Sequence, residues 1–270
     1  MKPAPFDYVR AESLDEALDV LAREGSDARI IAGGQSLMPM LNMRLAKPNV
    51  LVDIMRLDEL AQIDDAKHAV TIGAGIRQAT LLAWPELKRR LPLVAMGLPW
   101  TGHAQTRSRG TVCGSIAHAD PSAELPLMLL ALSGVVHLRS RKHRRRVPAQ
   151  DFFAGMMATT RADDELIEAV SFPAGTERCA FREVARRHGD FAIVACAAVA
   201  TGHGVRLAVG GVADMPVTRD FPPLAGSALD DALNGLAYDL GARDDLHASA
   251  RHRRDLVRML GRALITEVLS

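Results

Sequence analysis

The chain has 270 residues, 48% apolar and 24% charged, with 33 Lys and Arg against 32 Asp and Glu. This balance excludes an intrinsically disordered chain and a strongly nucleic-acid-seeking one, and 4% aromatic residues supply too few rings for single-strand stacking platforms. No run of about 18 apolar residues occurs and the N-terminus lacks the apolar core of a signal peptide, so the expectation is a cytoplasmic protein with no integral membrane segment.

Ser13-Leu14-Asp15-Glu16 is a capping box ahead of apolar residues at 14, 17, 18 and 21, which predicts a helix from about Leu14 to Arg23. Ile30-Ile31-Ala32 reads as a short buried strand stopped by Gly33-Gly34-Gln35-Ser36. A short helix (Leu37 to Met43) and a strand (Val50 to Ile54) follow, making a small α/β lobe. Ala69 to Gly75 reads as a strand running into a glycine-broken turn, and Leu81 to Leu91 as helix interrupted at Pro85. Asp120-Pro121 fits an N-cap and N1 pair that opens an apolar helix through about Leu132, kinked in its first turns by Pro126.

Val135 to Leu138 and the basic run Arg139 to Arg146 predict an exposed hairpin, its charge serving as a solvated face or subunit contact, with an anionic partner as the alternative. Glu165 to Pro173 reads as a strand ended by proline, Phe191 to Ala200 and Val205 to Val209 as further strands. The tail closes in an amphipathic helix marked by Leu256, Leu260, Leu264 and Val268. The natural division falls near residue 173, giving regions 1–173 (lobes of about 1–57 and 58–173) and 174–270.

Two glycine-bearing turns, each expected to leave a strand, carry the chemistry: Ala32-Gly33-Gly34-Gln35-Ser36 and Thr111-Val112-Cys113-Gly114-Ser115. Glycine admits positive φ and lets ligand oxygens approach the backbone, while successive N–H groups and hydroxyls surround an anion. Each turn alone is also readable as a plain tight turn; two together suit a pyrophosphate. Neither matches a dinucleotide or phosphate-loop fingerprint, since Gln78 stands where Gly73-Ala74-Gly75 would need a third glycine. Ser115, His118 and Asp120 have triad chemistries, but Cys113-Gly114-Ser115-Ile116-Ala117 fails the nucleophile-elbow pattern and triad partners lie far apart in sequence. Cys113, Cys179 and Cys196 are odd in number and widely spaced, which supports neither a disulfide framework, a closed zinc site nor a self-contained iron–sulfur cluster.

Ala32-Gly33-Gly34-Gln35-Ser36-Leu37, followed about 75 residues later by Arg109-Gly110-Thr111-Val112-x-Gly114-Ser115-x-Ala117-His118-Ala119-Asp120-Pro121-x-Ala123-Glu124-Leu125-Pro126, resembles the FAD-binding medium subunit of molybdenum hydroxylases. The likeness extends through Phe181-Arg182, Arg186-Arg187, Asp190, Gly210-Gly211-Val212-Ala213 and the Arg-rich final helix. It implies an α+β fold: a two-lobed FAD-binding domain of the vanillyl-alcohol-oxidase type, then a C-terminal domain with a three-stranded antiparallel sheet and helices. FAD would lie between the lobes, its pyrophosphate on Ala32, Gly33, Gly34, Gln35 and Ser36 and on Thr111, Val112, Cys113, Gly114 and Ser115, with His118 nearby. The resemblance also places Arg29 near the cofactor, Glu124 near its nucleotide end, Leu166 and Ile167 on a ring, and Arg182 at a position usually Lys beside the flavin. It implies no catalytic acid–base residue and no metal ligand on this chain.

Molybdenum pterin and two-iron two-sulfur clusters would sit on partners, a molybdenum large subunit and an iron–sulfur small subunit, in a dimer of heterotrimers. Electrons would pass through the clusters to FAD and on to NAD, a quinone or oxygen. Cys113 replaces the usual first glycine of the second pair, so that position must accept a Cβ; Thr106, Ser108 and His252 are further departures. The alternatives are a flavin-free assembly or regulatory module in which Cys113 has disabled the second turn, and a stand-alone FAD oxidase.

Overall fold

The computed structural model describes residues 2–175 and 178–270. Strands β1 (Asp7–Arg10), β2 (Ala28–Ile31) and β3 (Val50–Asp53) form a parallel sheet in the order β1-β3-β2, with helices α1 (Leu14–Glu24) and α2 (Leu37–Asn42) in the connections. Ser13 caps α1, its hydroxyl accepting from the Glu16 N–H at 3.1 Å. The Glu16 carboxylate accepts from the N–H of Glu12 at 2.7 Å, so the reciprocal bond of the box falls one residue earlier than usual. Leu14, Ala17, Leu18 and Leu21 are buried against the sheet, whose central strand buries Val50, Leu51 and Val52.

The second sheet runs β4 (Ile63–Asp65), β5 (Ala69–Gly73), β10 (Leu166–Pro173), β6 (Val135–Arg139), β7 (Arg144–Pro148), with every pairing antiparallel. Between β5 and β6 lie six short helices: α3 (Gln78–Leu82), α4 (Leu87–Arg90), α5 (Pro92–Gly97), α6 (Ala104–Arg109), α7 (Val112–His118) and α8 (Glu124–Ala131). Helix α9 (Ala149–Phe152) and a ribbon of β8 (Phe153–Gly155) and β9 (Ala158–Thr159) precede β10. The expected helix from Asp120 is shorter than read. Its N-cap is Ala123, because the Asp120 carboxylate accepts from the Ser122 N–H at 2.8 Å and holds a turn there. Pro126 therefore stands in the first turn of α8, where an N–H has no intrahelical acceptor in any case, and the proline removes no helical bond.

The last region is a meander of β11 (Cys179–Ala185), β12 (Ala192–Thr201), β13 (Gly204–Gly210) and β14 (Val217–Phe221), backed by α10 (Gly226–Asp239) and α11 (Ala250–Leu269). The sheet has four strands, not three. Its extra edge strand, Val217-Thr218-Arg219-Asp220-Phe221, lacks clean apolar alternation and is held by ladder bonds to β13 together with an Arg206–Asp220 ion pair at 2.8 Å. Leu256, Leu260, Leu264 and Val268 of α11 are buried as their spacing predicts. Gly261 lets α11 approach closely, since a Cβ there would meet Leu233 Cδ2 at 2.8 Å and Leu207 Cδ2 at 3.1 Å.

The basic run is the β6–β7 hairpin, and much of its charge is paired within the chain. Arg141 bonds Asp15 at 3.0 Å and Asp19 at 2.8 Å on α1, which ties the two lobes together, while Arg139 reaches Glu168 at 3.0 Å. Arg145 grips the buried Glu165 at 2.6 and 2.7 Å, and the Ala162 N–H donates to the same carboxylate at 2.7 Å. Burial works against the Glu165 anion, but Arg145 and the Ala162 amide outweigh it and hold the carboxyl below the ordinary range. A depressed carboxylate stabilises above its unfolded pKa and loses that contribution as pH falls through the folded value. Glu165→Ala is expected to lower stability by about 2 kcal/mol near neutral pH, less than for a fully buried pair because Arg145 is partly exposed. The deficit, read by denaturant titration, is expected to shrink as acid protonates the wild-type carboxylate.

Candidate cofactor cleft

A cleft of about 1180 Å³ opens where the three sheets meet, lined by the loop after β2, the start of α7, the β8–β9 ribbon, the segment 186–193 that enters β12 and the segment 245–253 that enters α11. This exceeds the roughly 300–1,000 Å³ of pockets for drug-sized ligands and gives room for a dinucleotide.

Its first wall is the Gly33–Ser36 turn. Gly34 sits at φ +70°, in the left-handed region that favours glycine. Gly33 is demanded by proximity: a Cβ there would lie 2.2 Å from the Arg109 carbonyl oxygen and 2.7 Å from Gly110 Cα. The two loops are thus pressed backbone to backbone. Among the described residues, nothing accepts a hydrogen bond from the backbone N–H groups of Gly33, Gly34, Gln35 or Ser36. Four adjacent donors beside a cleft form an anion cradle.

The second wall differs from the expected strand-to-turn. Residues from Val112 are the first turn of α7, capped by Thr111, whose hydroxyl accepts from the Gly114 N–H at 3.0 Å. A Cβ on Gly114 would stand 2.7 Å from that same Thr111 Oγ1 and displace the cap. Cys113 is therefore accommodated: it is helical, is not among the residues with positive φ, and is 3% exposed. Its Sγ lies 3.5 Å from the Ile72 carbonyl oxygen, and burial pushes the thiol up to about 12. The ground for a disabled second turn is removed.

Of the sequence-predicted residues, Arg29, Gly33, Gly34, Gln35, Ser36, Thr111, Cys113, Gly114, Ser115, His118, Glu124, Leu166 and Ile167 line the cleft. Three stand elsewhere. Ala32 faces a smaller groove of about 560 Å³ behind the turn. Val112 points into the core at 0% exposed, and its N–H donates to the Ile76 carbonyl at 3.0 Å. Arg182 lies outside the cleft and pairs with Glu267 of α11 at 2.7 Å, because strand alternation turns it away from the face carrying Phe181 and Glu183. The cation on the cleft in this region is Arg186, four residues on.

Sequence reading missed Arg161, Phe191 and Arg253, which reach the cleft from distant segments. Burial, then the nearby Arg29 guanidinium, pull Arg161 below the ordinary arginine range, and its Nη1 donates to the Ala162 and Glu165 carbonyls at 2.7 and 2.6 Å. Two fixed cations on one wall suit a ligand carrying several negative charges. Phe191, 70% exposed, offers an aromatic face. Glu124, 5% exposed at the start of α8, is pushed by burial up to about 7. Among the described residues no group of three His, Cys, Asp or Glu side chains is placed to hold a metal ion.

The family described as the FAD binding domain in molybdopterin dehydrogenase matches residues 4–175, more than half of the chain. The chain belongs to this family. It is 36% identical to the nicotine 6-hydroxylase medium subunit of Paenarthrobacter nicotinovorans over 99% of this chain and 98% of that one. It is 43% identical to the 6-hydroxypseudooxynicotine dehydrogenase complex subunit alpha of the same organism, over 74% of this chain and 69% of that one. Among solved structures, carbon monoxide dehydrogenase from Hydrogenophaga pseudoflava superposes with a TM-score of 0.92 at 30% identity, covering 100% of this chain and 99% of the other. The chain is thus an oxidoreductase subunit of the molybdenum hydroxylase family, with FAD as its cofactor. The cradle of free N–H groups, the glycine approach and the paired arginines all fit that cofactor.

Gly33→Ala is expected to cost about 2–3 kcal/mol in overpacking and to lower bound flavin at least about tenfold, because the two loops must part. Gly34→Ala, whose tightest contact would be Met38 Cγ at 3.3 Å, is expected to cost about 1 kcal/mol, chiefly through φ, and to keep most of its flavin. Thermal melts and flavin content after purification separate the two. Cys113 is expected to resist thiol reagents in the folded chain at about pH 8 and to react fully in denaturant, by the thiolate requirement.

Proposed function

We propose that FAD lies along this cleft with its pyrophosphate on the Gly33–Ser36 amides and the first turn of α7, and that the chain is the flavoprotein subunit of a heterotrimeric molybdenum hydroxylase. The observation that carries the reading is the row of four partnerless N–H groups brought against the start of α7 by the Gly33–Arg109 contact. Arg29 and Arg161 add positive charge where a pyrophosphate needs it, and Leu166 and Ile167 supply apolar contact for a ring.

When bound, the flavin supplies stepwise electron transfer, accepting electrons singly and passing them on as a pair. The chain's own contribution is to bind, orient and shelter it. Residues 1–57 and 58–173 form the two lobes of a vanillyl-alcohol-oxidase-type domain, and residues 174–270 close the far end of the cleft. Electrons arrive from two-iron two-sulfur clusters on a small partner subunit, fed by molybdenum pterin on a large one, and leave to NAD, a quinone or oxygen. Three buried or half-buried cysteines fit that division of labour, since the clusters need ligands this chain does not offer. The assembly is read as a dimer of heterotrimers in the cytoplasm. Among the described residues no helix is long and apolar enough to cross a membrane.

Purified chain is expected to be yellow, with a flavin band at roughly 450 nm, and to bind added FAD at one equivalent per chain. Co-expression with iron–sulfur and molybdenum partners is expected to give a complex whose substrate reduces that flavin. A colourless chain that refuses FAD would overturn the reading.

A further inference from the structure

Glu183 is the anomaly of the molecule. It lies mid-strand in β11, 8% exposed, and neither carboxylate oxygen has a hydrogen-bond partner. Alternation along β11 puts it on the face of Phe181 and opposite Ala195 of β12, the face packed on α5 and on the core of the first region. That surface is otherwise uncharged. Helix α5 is Pro-Leu-Val-Ala-Met-Gly with no titratable side chain, β12 brings only Ala195 and Ala197 to this face while its Cys196 lies on the other with Arg182, and α8 is apolar from Leu125 to Ala131. The acid acting on Glu183 is Glu124, the first residue of α8, which also lines the cleft. Glu124 in turn feels Asp120 and Arg107, the latter committed to the carbonyls of Pro99, Thr101 and Gly102 at 3.1, 3.1 and 2.6 Å. Glu267 and Arg182 pair with each other on the opposite face of β11. An isolated buried carboxylate is costly, so such a group keeps its proton instead.

We propose that Glu183 and Glu124 form a proton-holding pair at the junction between the C-terminal sheet and the cleft, so that the protonated pair keeps the sheet seated and negative charge out of the cofactor site. Burial, reinforced by Glu124, pushes Glu183 up to about 8, while burial alone is the leading cause that pushes Glu124 up to about 7. The folded chain thus keeps a proton that the unfolded chain has released. Stability must then fall as pH rises from the ordinary carboxylate value of 4.5 to about 8, and level off above it. In the pair Glu183 is a positioning residue, acting on the cleft through Glu124; only this second half rests on the reading of the cleft as a flavin site.

The test is the pH dependence of thermal stability in the full chain for wild type, Glu183→Gln and the apolar Glu183→Leu. Neither replacement side chain carries a charge at any pH. Relative to wild type their Tm is expected to gain at least about 3 °C between about pH 6 and pH 8, and no further gain is expected above that. Parallel curves for wild type and both variants would overturn the pair whatever the flavin does. In the same samples the wild type is expected to release added FAD more readily with rising pH, and Glu183→Gln to do so at least about threefold less, as tenfold per pKa unit allows. Converging Tm curves with unchanged FAD release would leave a structural acid pair and overturn its link to the cleft. Absence of FAD binding in every sample would instead overturn the flavin reading, with the Tm curves still deciding the pair.

Discussion

The architecture turns on one backbone contact, the approach of Gly33 to Arg109 and Gly110. A parallel three-stranded lobe and a larger antiparallel lobe are brought so close there that a single added Cβ would sit 2.2 Å from a carbonyl oxygen. That contact sets the cradle of amides from residues 33–36 against the capped start of α7 and so defines the width of the cleft. The Arg141 bonds to Asp15 and Asp19 tie the same two lobes together from the far side, but they are exposed pairs of small individual worth. The glycine contact is short-range, steric and intolerant of adjustment, so the cleft's geometry depends on it far more than on those ion pairs.

The electrostatics of the cleft follow from where burial is compensated and where it is not. Glu165 is buried with a guanidinium and an amide on it that hold its carboxyl low, whereas burial outweighs the Arg107 charge at Glu124 and meets no countercharge at Glu183, so both shift upward. Arg29 and Arg161 supply positive charge at the opposite wall. The cleft thus combines positive charge with the cradle of amides, which suits an anionic dinucleotide.

How much of this was legible in the sequence depended on whether local signals agreed with tertiary demands. Helix α1 was readable because its cap and apolar spacing concur, and α11 because four apolar residues at i+4 leave no other period. The first glycine turn was readable as a turn, though the reason for Gly33, a neighbour 76 residues away, was not. Thr111-Val112-Cys113-Gly114-Ser115 misled because Thr, Val and Gly are weak helix formers; the Thr111 cap and the Val112 bond to Ile76 decide the outcome. Arg182 misled for want of strand parity, since its neighbour Glu183 takes the inward face and only the pairing of β11 with β12 reveals which is which. Edge strand β14 left little trace, because an edge half exposed to water needs no apolar alternation. Arg161, Phe191 and Arg253 had no signal at all beyond their residue types, as they enter the cleft from three separate segments.

The most direct test of the central claim is a structure of the chain with FAD bound. The pyrophosphate oxygens are expected within hydrogen-bond distance, about 2.7–3.2 Å, of the Gly33–Ser36 amides, facing the first turn of α7, with the Gly33–Arg109 contact unbroken. A pyrophosphate seated elsewhere, or lobes that part at Gly33 to admit the cofactor, would contradict it.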